Sequence, residues 1–144
     1  SGAPSFGPTD LVNETFLKFS QLKDFGVIKD VEHFFALFSS MMRQVFVDYQ
    51  RNKNTWKKGG RVGIFVLSQI STQLESQIGS LVELDDCMRC LSKRHPKAAQ
   101  ALDMQIFLRL KVNEIAVALD MTLSQTEKQL RLAKATMVSL MQGA

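Results

Sequence analysis

The stretch from Val112 to Met141 constrains the fold more than any other part of the chain. Val112-Asn113-Glu114-Ile115-Ala116-Val117-Ala118-Leu119 reads as a short helix with Ile115 and Leu119 inward, and Ala116 is small enough to let a second helix cross close by. Asp120-Met121 then makes a turn, because aspartate is one of the few residues besides glycine that tolerate a left-handed backbone. Thr122-Leu123-Ser124-Gln125 has capping-box spacing, a hydroxyl followed three residues later by an amide, and it opens a new helix. The inner row of that helix is Thr126, Leu130, Ala133, Met137 and Leu140. Two helices joined by so short a turn, the second polar at its start, form either a helix-turn-helix that lays a recognition helix in a major groove or a plain helical hairpin.

The rest of the chain also reads as helix, so the expected fold is all-α. After Pro8, Thr9 or Asp10 can cap a helix whose apolar residues are Leu11, Val12, Phe16 and Phe19. Gly26 and the capping-type Asp30 separate it from a second helix, predicted from about Val31 to about Lys53. Phe34, Phe38, Met41, Met42, Val45 and Phe46 lie on its inner side, with Arg43, Gln44, Tyr49, Gln50 and Arg51 outside. Gly59 and Gly60 end this region. The following segment, 61–79, is expected to be a linker, although Val62, Ile64 and Val66 alternate as a short strand would. A further helix carries Leu84, Met88 and Leu91 and breaks at His95-Pro96, since proline disfavours helix in the residue before it. From Pro96 a third pattern runs through Ala99, Leu102, Ile106 and Leu110. Eight of the ten phenylalanines precede position 50, which suggests two small lobes, 8–60 and 80–144, joined by that linker.

A chain of 144 residues has room for one ordinary domain or two small ones, and it cannot be a large multidomain catalyst. The net charge of +4 matters because it is concentrated. Arg43, Arg51, Lys53, Lys57, Lys58 and Arg61 face a single acid, Asp48, whereas Glu83, Asp85 and Asp86 form an acidic stretch. Such a block suits a nucleic acid or another polyanion, and equally a solvated helix face. Two cysteines cannot make a disulfide framework, so a reducing, cytoplasmic location is expected; no stretch has the length and apolarity of a membrane span. Cys87 and Cys90 with His95 have the spacing of metal ligands, but a structural zinc needs four and no second cysteine pair exists. On a helix, Cys87 is better read as a small core residue and Cys90 as a partly exposed thiol. No phosphate-cradling loop or nucleophile motif points to an enzyme, and no cofactor or metal is expected.

His95-Pro96-Lys97 through Arg131-Leu132-Ala133-Lys134-Ala135 is similar, without a gap, to the C-terminal promoter-binding domain of extracytoplasmic-function sigma factors, the small specificity subunits of bacterial RNA polymerase. Pro8-Thr9-Asp10-Leu11-Val12-Asn13-Glu14-Thr15-Phe16-Leu17 resembles the polymerase-clamp-binding segment of the same family. His33-Phe34-Phe35-Ala36, Met42 through Tyr49 and Lys57-Lys58-Gly59-Gly60 resemble its promoter-melting helix. The resemblances come in the family's order and cover about three quarters of the chain.

The resemblance implies a transcription initiation factor with core RNA polymerase and promoter DNA as partners. Arg51, Lys53, Lys57 and Lys58 would line the path of a melted strand, where cations track phosphates, and Tyr49 or Trp56 would stack on an unpaired base. Trp56 packed on the linker is the competing reading. In the recognition helix Ser124, Gln125, Lys128 and Gln129 would meet base edges, and Arg131 and Lys134 phosphates. Asp10, Asn13 and Glu14 would meet the polymerase. Thr9 stands where many members carry an acid, so a phosphate on Thr9, placed by a kinase, would restore negative charge.

The sequence departs from the family in two further places. Only seven residues precede Pro8, where the promoter-melting domain normally has more helix, so the sequence is either a fragment or naturally lacks that half; an incomplete lobe would leave its Phe-rich face open to self-association or a partner. Glu127 and Gln129 stand where basic residues are usual in the family, a departure that would weaken DNA affinity. Two alternatives therefore remain: a sigma-like protein-interaction module that binds itself or a regulator such as an anti-sigma protein, and a simple helix-turn-helix repressor.

Overall fold

The computed structural model describes residues 8–21, 30–53 and 81–142. Among these the chain is helical throughout, with six helices and no strand: α1 (Pro8–Ser20), α2 (Val31–Lys53), α3 (Leu81–Arg94), α4 (Pro96–Phe107), α5 (Val112–Ala118) and α6 (Leu123–Gln142). The expected linker 61–79, the alternation at Val62–Val66, and Gly26, Gly59 and Gly60 lie outside the described residues.

Helix starts follow local chemistry, with one correction. Asp30 caps α2, its Oδ1 accepting the His33 N–H at 2.8 Å. Pro96 opens α4 directly after the break at His95. Neither Thr9 nor Asp10 precedes α1, because Pro8 already occupies its first position, where a missing N–H costs nothing. Asp10 instead lies in the first turn, where its charge opposes the positive end of the helix dipole.

The buried row of α1 also differs from the expected one. Leu11, Thr15 and Phe19 are buried, whereas Val12 and Phe16 are exposed. Thr15 can sit inside because its Oγ1 donates to the Leu11 carbonyl at 2.7 Å, leaving no unmet hydroxyl. The row turns Phe19 toward Phe34 and Phe38, with ring centroids 5.3 and 5.8 Å apart.

α4 is the axis of the molecule and packs against α2, α3, α5 and α6. One side, through Ala98, Ala99, Leu102 and Ile106, joins a core with Leu11 and Phe19 of α1, Phe38, Met42, Val45 and Phe46 of α2, Leu84, Met88 and Leu91 of α3, and Ala133 and Met137 of α6. The other side, through Ala101 and Met104, joins Ile115, Ala118, Leu119 and Leu130. The alanines of α4 allow helices to approach on both sides. Leu110, expected at the end of the α4 pattern, lies beyond it: Arg109 takes a left-handed conformation at φ 56° and Leu110 N–H returns to the Met104 carbonyl.

The main correction concerns Arg43, expected on the outer side of α2 as part of the basic block. It is 6% exposed and bound to Asp85 of α3, with Asp103 of α4 beside it. Both partners lie far along the chain, and burial of a guanidinium requires such company.

Candidate nucleic-acid interface

The connection between α5 and α6 is built by two interlocking caps. At the end of α5, Asp120 adopts φ 52°, the left-handed conformation expected of it. Its N–H donates to the Val117 carbonyl at 3.2 Å and the Met121 N–H to the Ala116 carbonyl at 2.9 Å. This Schellman arrangement satisfies two carbonyls that a helix end leaves open, and Met121 folds back onto the second core. Thr122 and Gln125 then close the capping box in both directions. Thr122 Oγ1 accepts the Gln125 N–H at 3.1 Å, and Gln125 Oε1 accepts the Thr122 N–H at 3.0 Å. Asp120→Val should cost about 1–2 kcal/mol, the penalty of a left-handed Cβ, while Asp120→Gly should be neutral or slightly stabilising. Thermal unfolding of the two variants distinguishes these outcomes.

The inner row of α6 is buried at Thr126, Leu130, Ala133 and Met137, and partly buried at Leu140. Thr126 Oγ1 is satisfied by the Thr122 carbonyl at 2.9 Å. Ser124, Gln125, Glu127, Lys128 and Arg131 are therefore exposed on the opposite side, Gln129 is intermediate, and Lys134 is half-buried. Burial holds the Lys134 ammonium below its ordinary pKa. Ser124, Glu127, Lys128 and Arg131 follow the spacing of one helix face, so the acid interrupts a basic row.

Two residues missed in the sequence join this surface. Val117 is 83% exposed at the end of α5, and Leu123 is exposed at the first position of α6. Their signal was their absence from the inner rows.

Tyr49, Arg51 and Lys53 fall in the last turns of α2. Trp56, Lys57 and Lys58 lie outside the described residues. On α1, Thr9, Asp10, Asn13 and Glu14 are all exposed. Asp10, Asn13, Glu14 and the exposed Leu17 share one face, and Val12 and Phe16 lie beside it. Cys87 is partly buried against the main core and Cys90 is exposed. Among the described residues no helix is long and apolar enough to cross a membrane.

A family model for the ECF sigma factor matches residues 4–143. The chain belongs to the ECF sigma factor family. Transcription initiation, DNA binding and RNA polymerase binding are the functions of that non-enzymatic family, and the match runs through every helix from α1 to α6. No curated protein and no solved structure is significantly similar to the chain.

Proposed function

We propose that this ECF sigma factor family member binds core RNA polymerase through α1 and recognises promoter DNA through α5 and α6, used as a helix-turn-helix. The observation that carries the reading is the α5–α6 connection: paired caps fix the start of α6 while Ser124, Lys128 and Arg131 face solvent. A helix held at its N-terminus, with polar side chains outward, suits insertion into a major groove.

Specificity falls to Ser124 and Lys128, with Leu123 offering an apolar contact to a thymine methyl group. Gln125 is the weaker base reader, because its Oε1 is engaged in the cap and a bidentate contact to adenine needs both amide atoms. Gln129 lies farther toward the core, and Arg131 and Lys134 serve phosphates. Upstream, Tyr49, Arg51, Lys53, Trp56, Lys57 and Lys58 track the melted strand.

On α1, Asp10, Asn13 and Glu14 form the polar part of the polymerase-binding face, with Leu17 as its apolar part. Phosphorylation of Thr9 would add charge beside Asp10, at the helix end whose dipole favours anions. The exposed Val12 and Phe16 favour a second reading, in which this face holds a regulatory partner or a second copy.

Co-purification with core RNA polymerase tests the assignment. The wild-type chain should be retained, and Asp10→Lys with Glu14→Lys should be lost while their circular dichroism stays unchanged. Retention of the double variant would move the polymerase contact away from α1; no retention of either protein would favour the partner-binding reading.

A further inference from the structure

Between α2, α3 and α4 runs an alternating row of four charges. Arg89 Nε lies 3.0 Å from Asp85 Oδ2, Arg43 donates from its terminal nitrogen to Asp85 Oδ1 at 2.8 Å, and Arg43 Nε lies 3.1 Å from Asp103 Oδ1. Only Arg89 reaches solvent; the other three side chains are buried. The last contact is near enough for charge attraction but misaligned for a hydrogen bond, and it leaves Arg43 Nε and Asp103 Oδ1 buried and unsatisfied. One guanidinium thus serves two acids, well for Asp85 and poorly for Asp103.

We propose that the Asp85–Arg43–Asp103 cluster is a proton-sensitive latch: a proton on Asp103 tightens the packing of α2 on α3 and α4, and its loss loosens that packing. The geometry explains the choice of Asp103. Its neighbour Asp85 already has the aligned bond from Arg43 and a second partner in Arg89. Asp103 has neither, and a buried carboxylate without aligned donors favours its neutral form.

Burial accordingly raises the Asp103 carboxyl from 3.8 to about 7; Arg43 opposes the rise and Asp85 adds to it. The charged groups acting on Asp103 are Arg43 from α2 and Asp85 from α3, with Arg89 on the far side of Asp85. α5 and α6, which also pack on α4, contribute no charge to it among the described residues. The surrounding apolar contacts of Met42, Val45 and Phe46 keep the helices together in either state, so the latch acts on local opening. It rests on packing alone and holds whichever partner the protein binds.

The sign follows from proton linkage. Asp103 has an ordinary carboxyl pKa when the contact is open and a raised one when it is closed, so the closed form holds an extra proton between those values. The stability of the closed form is greatest at acidic pH and is lost as pH rises toward 7. The opening constant should therefore climb about tenfold per pH unit from pH 5 to near 7 and level off above it.

Hydrogen exchange of the whole protein from pH 5 to pH 8, corrected for intrinsic amide rates, reads this directly. Peptides covering 38–47, 84–91 and 98–107 should show the rise, with circular dichroism constant, while peptides from 112–125 should not. Asp103→Asn should abolish the slope and hold exchange near the low-pH level. A flat wild-type profile overturns the latch, as does a slope retained in Asp103→Asn or one shared equally by 112–125. Loss of helicity in parallel would also overturn it, by showing global unfolding. If Asp103→Asn fails to fold, the wild-type profile and its 112–125 control still decide.

Discussion

Arg43→Met should destabilise the protein by about 3–5 kcal/mol at pH 8, the range seen when one member of a buried charge pair is removed. Methionine replaces much of the guanidinium's volume, so the loss does not come chiefly from a cavity. It comes from Asp85 and Asp103, which remain buried with their cation gone. Asp85 keeps Arg89, but Asp103 keeps no described charge partner. The loss should shrink on acidification, because without Arg43 nothing opposes the rise that burial imposes on the Asp103 carboxyl, so it takes up a proton more readily than in the intact protein and, once neutral, ceases to need compensation. Adding Asp85→Asn and Asp103→Asn to Arg43→Met should recover a large part of the stability, since the buried charges disappear together. Urea unfolding of the three proteins measures these differences. A change of only a few tenths of a kcal/mol in Arg43→Met would mean that Arg43 behaves as a surface residue.

The same residue shows where sequence reading stops. Arg43 follows Met42 and precedes Gln44, Val45 and Phe46, and its helical position alone allows the outer face. Its burial depends on Asp85, 42 residues away, and on Asp103, which arrives through the packing of α4. No local pattern carries that information. Thr15 displaced Phe16 from the buried row for a similar reason: the choice was made by the approach of α2, which required Phe19 opposite Phe34 and Phe38. The features that could be read from the sequence are those whose partners lie within one helical turn. Asp30 caps His33, Thr122 and Gln125 cap each other, and Asp120 takes the left-handed position between two helices. The inner row of α6 was legible because a single face of that helix meets the core from Thr126 to Met137. For the site, sequence spacing named Gln125 both as a capping residue and as a base reader, and the cap takes the atom that bidentate reading requires.

Replacing Lys57 and Lys58 together by Ala should weaken binding of a single-stranded probe roughly 25-fold at 0.1 M salt, whatever its sequence. Each lost phosphate contact removes about 0.7 from the salt slope on a single strand, so the slope should fall by roughly 1.4. Sequence independence is the diagnostic part, because cations that follow phosphates do not read bases. Glu127→Lys supplies the opposite arm on duplex DNA. Glu127 is exposed on α6 within the row that includes Lys128 and Arg131, so its charge opposes the groove that those cations would enter. One new phosphate contact should tighten duplex binding about eightfold at 0.1 M salt, and the gain should vanish near 1 M. Lys128→Ala should act differently again, costing about 1–3 kcal/mol of discrimination at a single base pair if the lysine reads guanine. Fluorescence anisotropy against salt, with one single-stranded and one duplex probe selected by the wild-type protein, measures all three. If the lysine pair and Glu127→Lys both leave binding unchanged, neither the basic block nor α6 touches DNA, and the exposed Val12, Phe16 and Leu17 of α1 become the surface to which function must be assigned.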